Sequence, residues 1–146
     1  MNAIEDNGYR RSWQELGTAF GEGRGAGEGR WPRPQLILCI SAHWLTRGWW
    51  LTGMAQPPTI HDFGGFPPEL FAQQYPAPGA PEAAREISRA LNAQKDAAAF
   101  GAWDGGEFGG VGLDESEWGF DHGSWSVLKP MFPQADIPML QLSMDY

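Results

Sequence analysis

The sequence predicts an α/β domain: a partial central sheet flanked by helices, with long Pro/Gly-rich loops. Three observations carry this. Leu36, Ile37, Leu38, Cys39 and Ile40 form an unbroken apolar run, preceded by Pro32 and Pro34. A run of that length, rich in branched side chains, reads as a strand buried on both faces. Pro81–Ala99 carries an apolar stripe at helical spacing. Ile137–Met144, IPMLQLSM, repeats the buried-strand pattern near the end of the chain. In open α/β sheets ligands bind outside the carboxyl ends of strands, and His43 stands just after the first run, between Ala42 and Trp44.

Composition narrows the function classes. With 146 residues the chain can form one domain, residues 1–146, with a core of useful size. Its net charge of −8 disfavours nucleic acid and an anionic membrane surface as partners. No apolar run approaches the roughly 20 residues of a membrane span, and the first residues, MNAIEDNGYRR, lack the apolar core of a secretory signal. The single Cys39 excludes an intrachain disulfide, which fits a reducing cytoplasm. The 20 Gly and 12 Pro demand extensive loops, and the eight Trp suggest packed loops or an aromatic-lined cleft.

Taken in order, Arg10–Leu16 fits a short amphipathic helix with Trp13 and Leu16 on one side, capped by Asn7 or Ser12. Residues 17–30, GTAFGEGRGAGEGR, read as a glycine-rich loop insertion that buries little apolar area. After the strand at Leu36–Ile40, Arg47-Gly48 makes a turn into a second strand, Trp49–Met54. Ala55–Gly79 holds six of the twelve prolines and reads as a long ordered loop, a kind of segment that is usually functional. In the helix from Pro81 to Ala99, Ala84, Ile87, Ala90 and Leu91 form the buried stripe. Residues 101–112 are a second glycine-rich insertion. Ser124–Lys129 forms a short helix ended by Pro130, and the strand at Ile137–Met144 follows. There are no internal repeats.

The three histidines carry the candidate chemistry. His43 follows the first strand, His61-Asp62 opens HDFGGFP, and Asp121-His122 precedes the last helix. Imidazole is both a metal ligand and a general base near neutral pH. The plainer reading, hydrogen-bonded loop histidines, competes for each taken singly. Adjacent residues rarely form the carboxylate–imidazole pairs that orient a ligand. No HExxH or similar zinc pattern is present, and no glutamate beside a histidine pair supplies the base of a zinc hydrolase.

Four blocks nevertheless resemble one family in order: IEDNGYRRSWQELG, PRPQLILCISAHWLTRG, PPTIHDFGGFPPELFAQQYPAPGAP and WGFDHGSWSVLKPMFPQADIPMLQLSMD. They are similar to the class III extradiol ring-cleavage dioxygenases, specifically the DOPA 4,5-dioxygenase group. The resemblance implies an α/β fold around one metal, Fe(II) or Zn(II). It implies opening of a catechol ring beside its two hydroxyls with O2. The SAHW histidine, His43, is then a metal ligand, and the DHG histidine, His122, serves the chemistry on the substrate side. His61, Asp62 and Asp121 border the substrate.

Family members also carry a GHGSP-like motif just before the stretch equivalent to MNAIEDN, and a GNxxHN-like motif well after QLSMD. Neither is in this sequence. The expectation is therefore an incomplete version of the family fold, an N-terminal half produced by a missed start and a truncated or shifted end. His43 would be the one remaining member of the family's metal-ligand set, and a single imidazole cannot hold a metal in defined geometry. The alternative is a degenerate, non-catalytic family remnant or interaction module.

Overall fold

The computed structural model describes residues 3–21, 30–93 and 110–146. The elements are α1 (Gly8–Thr18), β1 (Ile37–Thr46), β2 (Trp49–Thr52), α2 (Pro68–Phe71), α3 (Pro81–Ala93), β3 (Val111–Asp114), α4 (His122–Met131) and β4 (Met139–Asp145). The strands form one mixed sheet in the order β1-β4-β2-β3. β1 runs parallel to β4, β2 runs parallel to β3, and β2 meets β4 antiparallel with Leu51 opposite Leu142.

The two faces of the sheet are covered separately, as the alternation of side chains along a strand requires. On one face Met139, with Ile37 and Cys39 beside it, packs against Trp125, Leu128 and Phe132 of the α4 side. On the other, Leu140, Leu51 and Val111 meet Ala84, with Ile87 and Leu91 of α3 packed around them. No helix among the described residues is long and apolar enough to cross a membrane.

β1 departs from the expectation in two ways. It lies at the edge of the sheet, and Leu38 and Ile40 are 47% and 59% exposed, so the strand is not buried on both faces. A continuous apolar run shows that a strand can be covered, but not whether a neighbour is there to cover it. Leu38, Ile40 and Leu45 pair laterally with Leu140, Leu142 and Met144, which places them on the face covered by α3. α3 reaches over β2 and β3 and leaves this strip open. The strand also runs on to Thr46, so His43 lies within it. The pairing register shifts between Ile40 and Leu45, and such a bulge bends the strand and re-aims its side chains.

Other boundaries moved for local reasons. Asn7 is the cap of α1, its side chain accepting from the Arg10 amide at 2.9 Å, and the helix continues to Thr18. The first glycine-rich segment closes through a bridge between Phe20 and Trp31, and residues 22–29 lie outside the described residues. The proline-rich loop contains one helical turn, α2, that its composition concealed. α3 is described as far as Ala93, so the expected continuation to Ala99 lies outside the described residues. So does most of the second glycine-rich segment, but its last residue, Gly112, belongs to β3. The Trp50 ring lies where a Cβ on Gly112 would be, 2.8 Å away, so glycine is what lets β3 sit under that ring. α4 starts two residues before Ser124 and carries Pro130 inside its last turn. There the ring costs one late hydrogen bond and does not stop the helix.

The Cys39 thiol faces the α4 layer. Burial, reinforced by the negative charge of Asp121 and partly offset by Ser124, pushes it up to about 11, so it is an unreactive packing group.

α1 rests on α4 through Gly17, where an added Cβ would lie 2.1 Å from the Met131 carbonyl oxygen. Gly17→Ala is therefore expected to destabilise the fold by about 1–3 kcal/mol through overpacking. Gly8→Ala, where nothing lies within 4 Å of the new methyl, is expected to be neutral or to stabilise by up to about 1 kcal/mol. Equilibrium urea denaturation of the two variants checks the contrast.

Candidate functional site

The site is built on the junction of β1, β4 and the first turn of α4. Asp121 caps that helix and is fully buried. Its Oδ1 accepts from the Ser41 hydroxyl of β1 at 2.8 Å and from the Ser124 amide at 3.2 Å. Its other oxygen accepts from the Gln141 side-chain amide of β4. Gln141 in turn accepts from the Ser124 hydroxyl at 2.6 Å, and its backbone amide donates to Thr52 of β2 at 2.9 Å. All five side chains are at most 3% exposed. Buried polar groups of this kind stabilise only when satisfied, and here each has a partner.

This network sets two histidines side by side. Ser41 also accepts from the backbone amide of His43 at 3.2 Å, which fixes the strand at the bulge. His122 is the first residue of α4, directly after Asp121. Their ring centroids are 4.1 Å apart. Gly123 permits this approach: a Cβ there would lie 2.8 Å from both His43 Cδ2 and Ser41 Oγ.

Asp62 joins the two rings from the loop after β2. His43 Nδ1 lies 3.2 Å from its Oδ2, and His122 Nδ1 lies 2.9 Å from its Oδ1. The His122 backbone amide also donates to Oδ1 at 2.9 Å. Burial alone would raise the Asp62 carboxyl, but the hydrogen bonds from the His122 amide and ring outweigh it and hold it below the usual carboxylate value. His43 is the most open of the three, with 44% of its side chain exposed against 18% for His122 and 13% for Asp62. Phe63 stands edge-on to His122 at 5.1 Å and closes that side.

One donor atom from each of His43, Asp62 and His122 can be chosen so that all lie within 4.8 Å of one another. Two imidazoles and a carboxylate suit a first-row divalent metal, iron and zinc included. By donor chemistry the imidazoles present therefore suit such an ion, with Asp62 in the place of a carboxylate that orients a ligating histidine.

The remaining sequence candidates are placed elsewhere. His61 is turned away from the cluster. Its Nε2 lies 2.9 Å from the Gln73 carbonyl oxygen, and its ring packs among Phe63, Phe71 and Trp125, so it pins the proline-rich loop. Asp121, expected at the substrate, is a correction: its carboxylate is wholly engaged inside the core, beneath the histidines. A groove lined by Trp44, Trp50, Leu113 and Glu117 lies on the β2–β3 side and includes none of the clustered residues. Sequence reasoning missed Ser41, Ser124, Gln141 and Gly123. Gln141 left a trace, since a polar residue in the middle of the apolar run MLQL requires a buried partner.

No family model matches the chain. It is 48% identical over 145 residues to an Escherichia coli K12 protein named 4,5-DOPA dioxygenase extradiol, covering 99% of this chain and 44% of the relative. A Portulaca grandiflora protein of the same name is 40% identical over 111 residues, 76% of this chain and 36% of the relative. Over almost its whole length the chain is similar to the DOPA 4,5-dioxygenase group of class III extradiol dioxygenases. Another relative, from Hapsidospora irregularis, is named dioxygenase tasH and is 37% identical over 76% of this chain and 30% of its own length. The fold agrees with that of an uncharacterized protein from Escherichia coli K12 seen by crystallography, with a TM-score of 0.61 and 40% identity over 97% of this chain and 42% of that one. The chain thus spans less than half the length of the relatives it matches, and its α/β fold corresponds to 42% of that solved chain.

The two acidic residues of the site are expected to separate in stability. Asp121→Ala strips the acceptor from Ser41 and Gln141 and the cap from α4, and is expected to cost about 3 kcal/mol or more. Asp62→Ala removes a partly exposed acceptor and is expected to cost about 1 kcal/mol. Chemical denaturation of both variants tests this ordering.

Proposed function

We propose that the chain carries part of the active site of an extradiol dioxygenase that opens a catechol ring, DOPA or a related catechol, beside its two hydroxyls. Both atoms of O2 enter the product. The observation that carries this reading is the meeting of His43 and His122 over Asp62 in a chain similar to this family. His43, the more open imidazole, would be one ligand of Fe(II) or Zn(II). A bound metal of this kind would polarise the catechol oxygens, and iron, unlike redox-inert zinc, would also pass electron density from the catecholate to O2. His122, half-enclosed by Phe63, would move a proton at the substrate hydroxyl. Asp62 orders both rings, and the His61 loop forms the wall of the cleft. The single unreactive Cys39 fits a reducing cytoplasm.

One observation favours a second reading, a non-catalytic remnant or interaction module. Leu38, Ile40, Leu45 and Met144 form an open apolar strip on the edge strand, and strips of this kind commonly mark interaction surfaces.

The assay uses the 146-residue chain, loaded with Fe(II) without oxygen and then mixed with L-DOPA or catechol in aerated buffer. Oxygen uptake and the absorbance of the ring-opened semialdehyde are followed. Turnover above an Fe(II)-only blank, falling by about 100-fold or more in His43→Ala, supports the enzyme reading. Wild-type rates equal to the blank contradict ring cleavage by this chain and leave the non-catalytic reading.

A further inference from the structure

We propose that Asp62 is a positioning residue for both site histidines, holding each in the Nδ1–H tautomer with the Nε2 lone pair outward. An ionised aspartate accepts hydrogen bonds and donates none. His122 Nδ1 is hydrogen-bonded to Oδ1 at 2.9 Å, and His43 Nδ1 lies 3.2 Å from Oδ2, in ion-pair range but outside hydrogen-bond geometry. A neutral imidazole carries its single proton on one nitrogen. Both contacts are attractive only when that proton is on Nδ1 in each ring; otherwise a lone pair points at a negative oxygen. The carboxylate cannot swing away to relieve a mismatch, because the His122 backbone amide holds Oδ1 at 2.9 Å. Among the described residues no hydrogen bond is made by Nε2 of either ring. Those two nitrogens are thus the available bases.

The arrangement crosses the two Asp-His pairs of the sequence. Asp62, neighbour of His61, serves His122, neighbour of Asp121. Asp62 therefore acts from behind the rings rather than at the substrate. Carboxylates that accept from the rear nitrogen of a ligating histidine fix its orientation and raise its basicity. Here one carboxylate accepts from His122 and faces the Nδ1 of His43 with its other oxygen, and the Nε2 atoms are set for the roles of cation ligand at His43 and proton acceptor at His122. That catalytic meaning rests on the proposed function, but the tautomers do not.

His61 provides an internal contrast. Its Nε2 faces a backbone carbonyl, which also only accepts, so its proton is on Nε2. The three histidines are thereby sorted into two tautomers.

The test is a long-range proton–nitrogen correlation spectrum of the ¹⁵N-labelled, metal-free full chain at about pH 8, above the ordinary histidine pKa of about 6.5. The expected result is the Nδ1–H pattern for His43 and His122 and the Nε2–H pattern for His61. In Asp62→Asn the side chain offers one acceptor and one donor group, so it can satisfy only one imidazole in this tautomer. At least one of His43 and His122 is expected to revert to Nε2–H while His61 keeps its pattern. A wild-type spectrum with His43 or His122 in the Nε2–H form overturns the proposal. So does a folded Asp62→Asn variant in which both keep the Nδ1–H form. The wild-type spectrum decides the assignment even where the variant fails to fold. Absence of ring cleavage in the assay above would leave these spectra unchanged, so the two readings fail separately.

Discussion

A buried carboxylate at the start of α4 is the constraint on which the rest of the site depends. Removing an aspartate from water is costly unless hydrogen bonds replace its hydration. Asp121 receives them from three directions: Ser41 on β1, Gln141 on β4 and the Ser124 amide in its own helix. Its charge also sits at the positive end of the helix dipole. No cation pairs with it among the described residues, so neutral donors and the helix end together offset its desolvation. Losing any one of these elements would leave the charge less satisfied, which gives the junction its definition.

Function follows from that junction by adjacency. Ser41 holds the carboxylate and also the backbone of His43, two residues further along a bulged strand. Asp121 precedes His122 directly, and Gly123 removes the side chain that would keep the two rings apart. Asp62 then arrives from the loop between β2 and α3, which is pinned by His61 and the aromatic rings around it. The two carboxylates divide the work: the buried one fixes backbone positions, and the half-buried one fixes ring orientation.

Much of this was legible in the sequence. The apolar runs marked β1 and β4, the amphipathic stripe marked α3, and His43 and His122 stood out by residue type and by resemblance. What was not legible depends on neighbours distant in sequence. Asp62 and His122 are separated by 60 residues, so no local pattern announced their contact. The edge position of β1 follows from sheet order, which an apolar run does not encode. β3 was hidden because Gly112 reads as loop until Trp50 is known to lie over it. Asp121 looked like a site residue because it stands beside His122, although its side chain turns the other way. The open strip at Leu38, Ile40, Leu45 and Met144 lies on a chain that covers under half of its relatives' length.

The central claim, that one carboxylate ties β1 to α4, is tested most directly by a double-mutant cycle with Ser41→Ala and Ser124→Ala. These side chains lie on different elements and meet through Asp121: Ser41 donates to its carboxylate directly, and the Ser124 hydroxyl donates to Gln141, whose side-chain amide donates to the other carboxylate oxygen. The account predicts non-additive unfolding free energies, with a coupling of about 0.5–3 kcal/mol. Additivity within about 0.3 kcal/mol, as for independent sites, would contradict it.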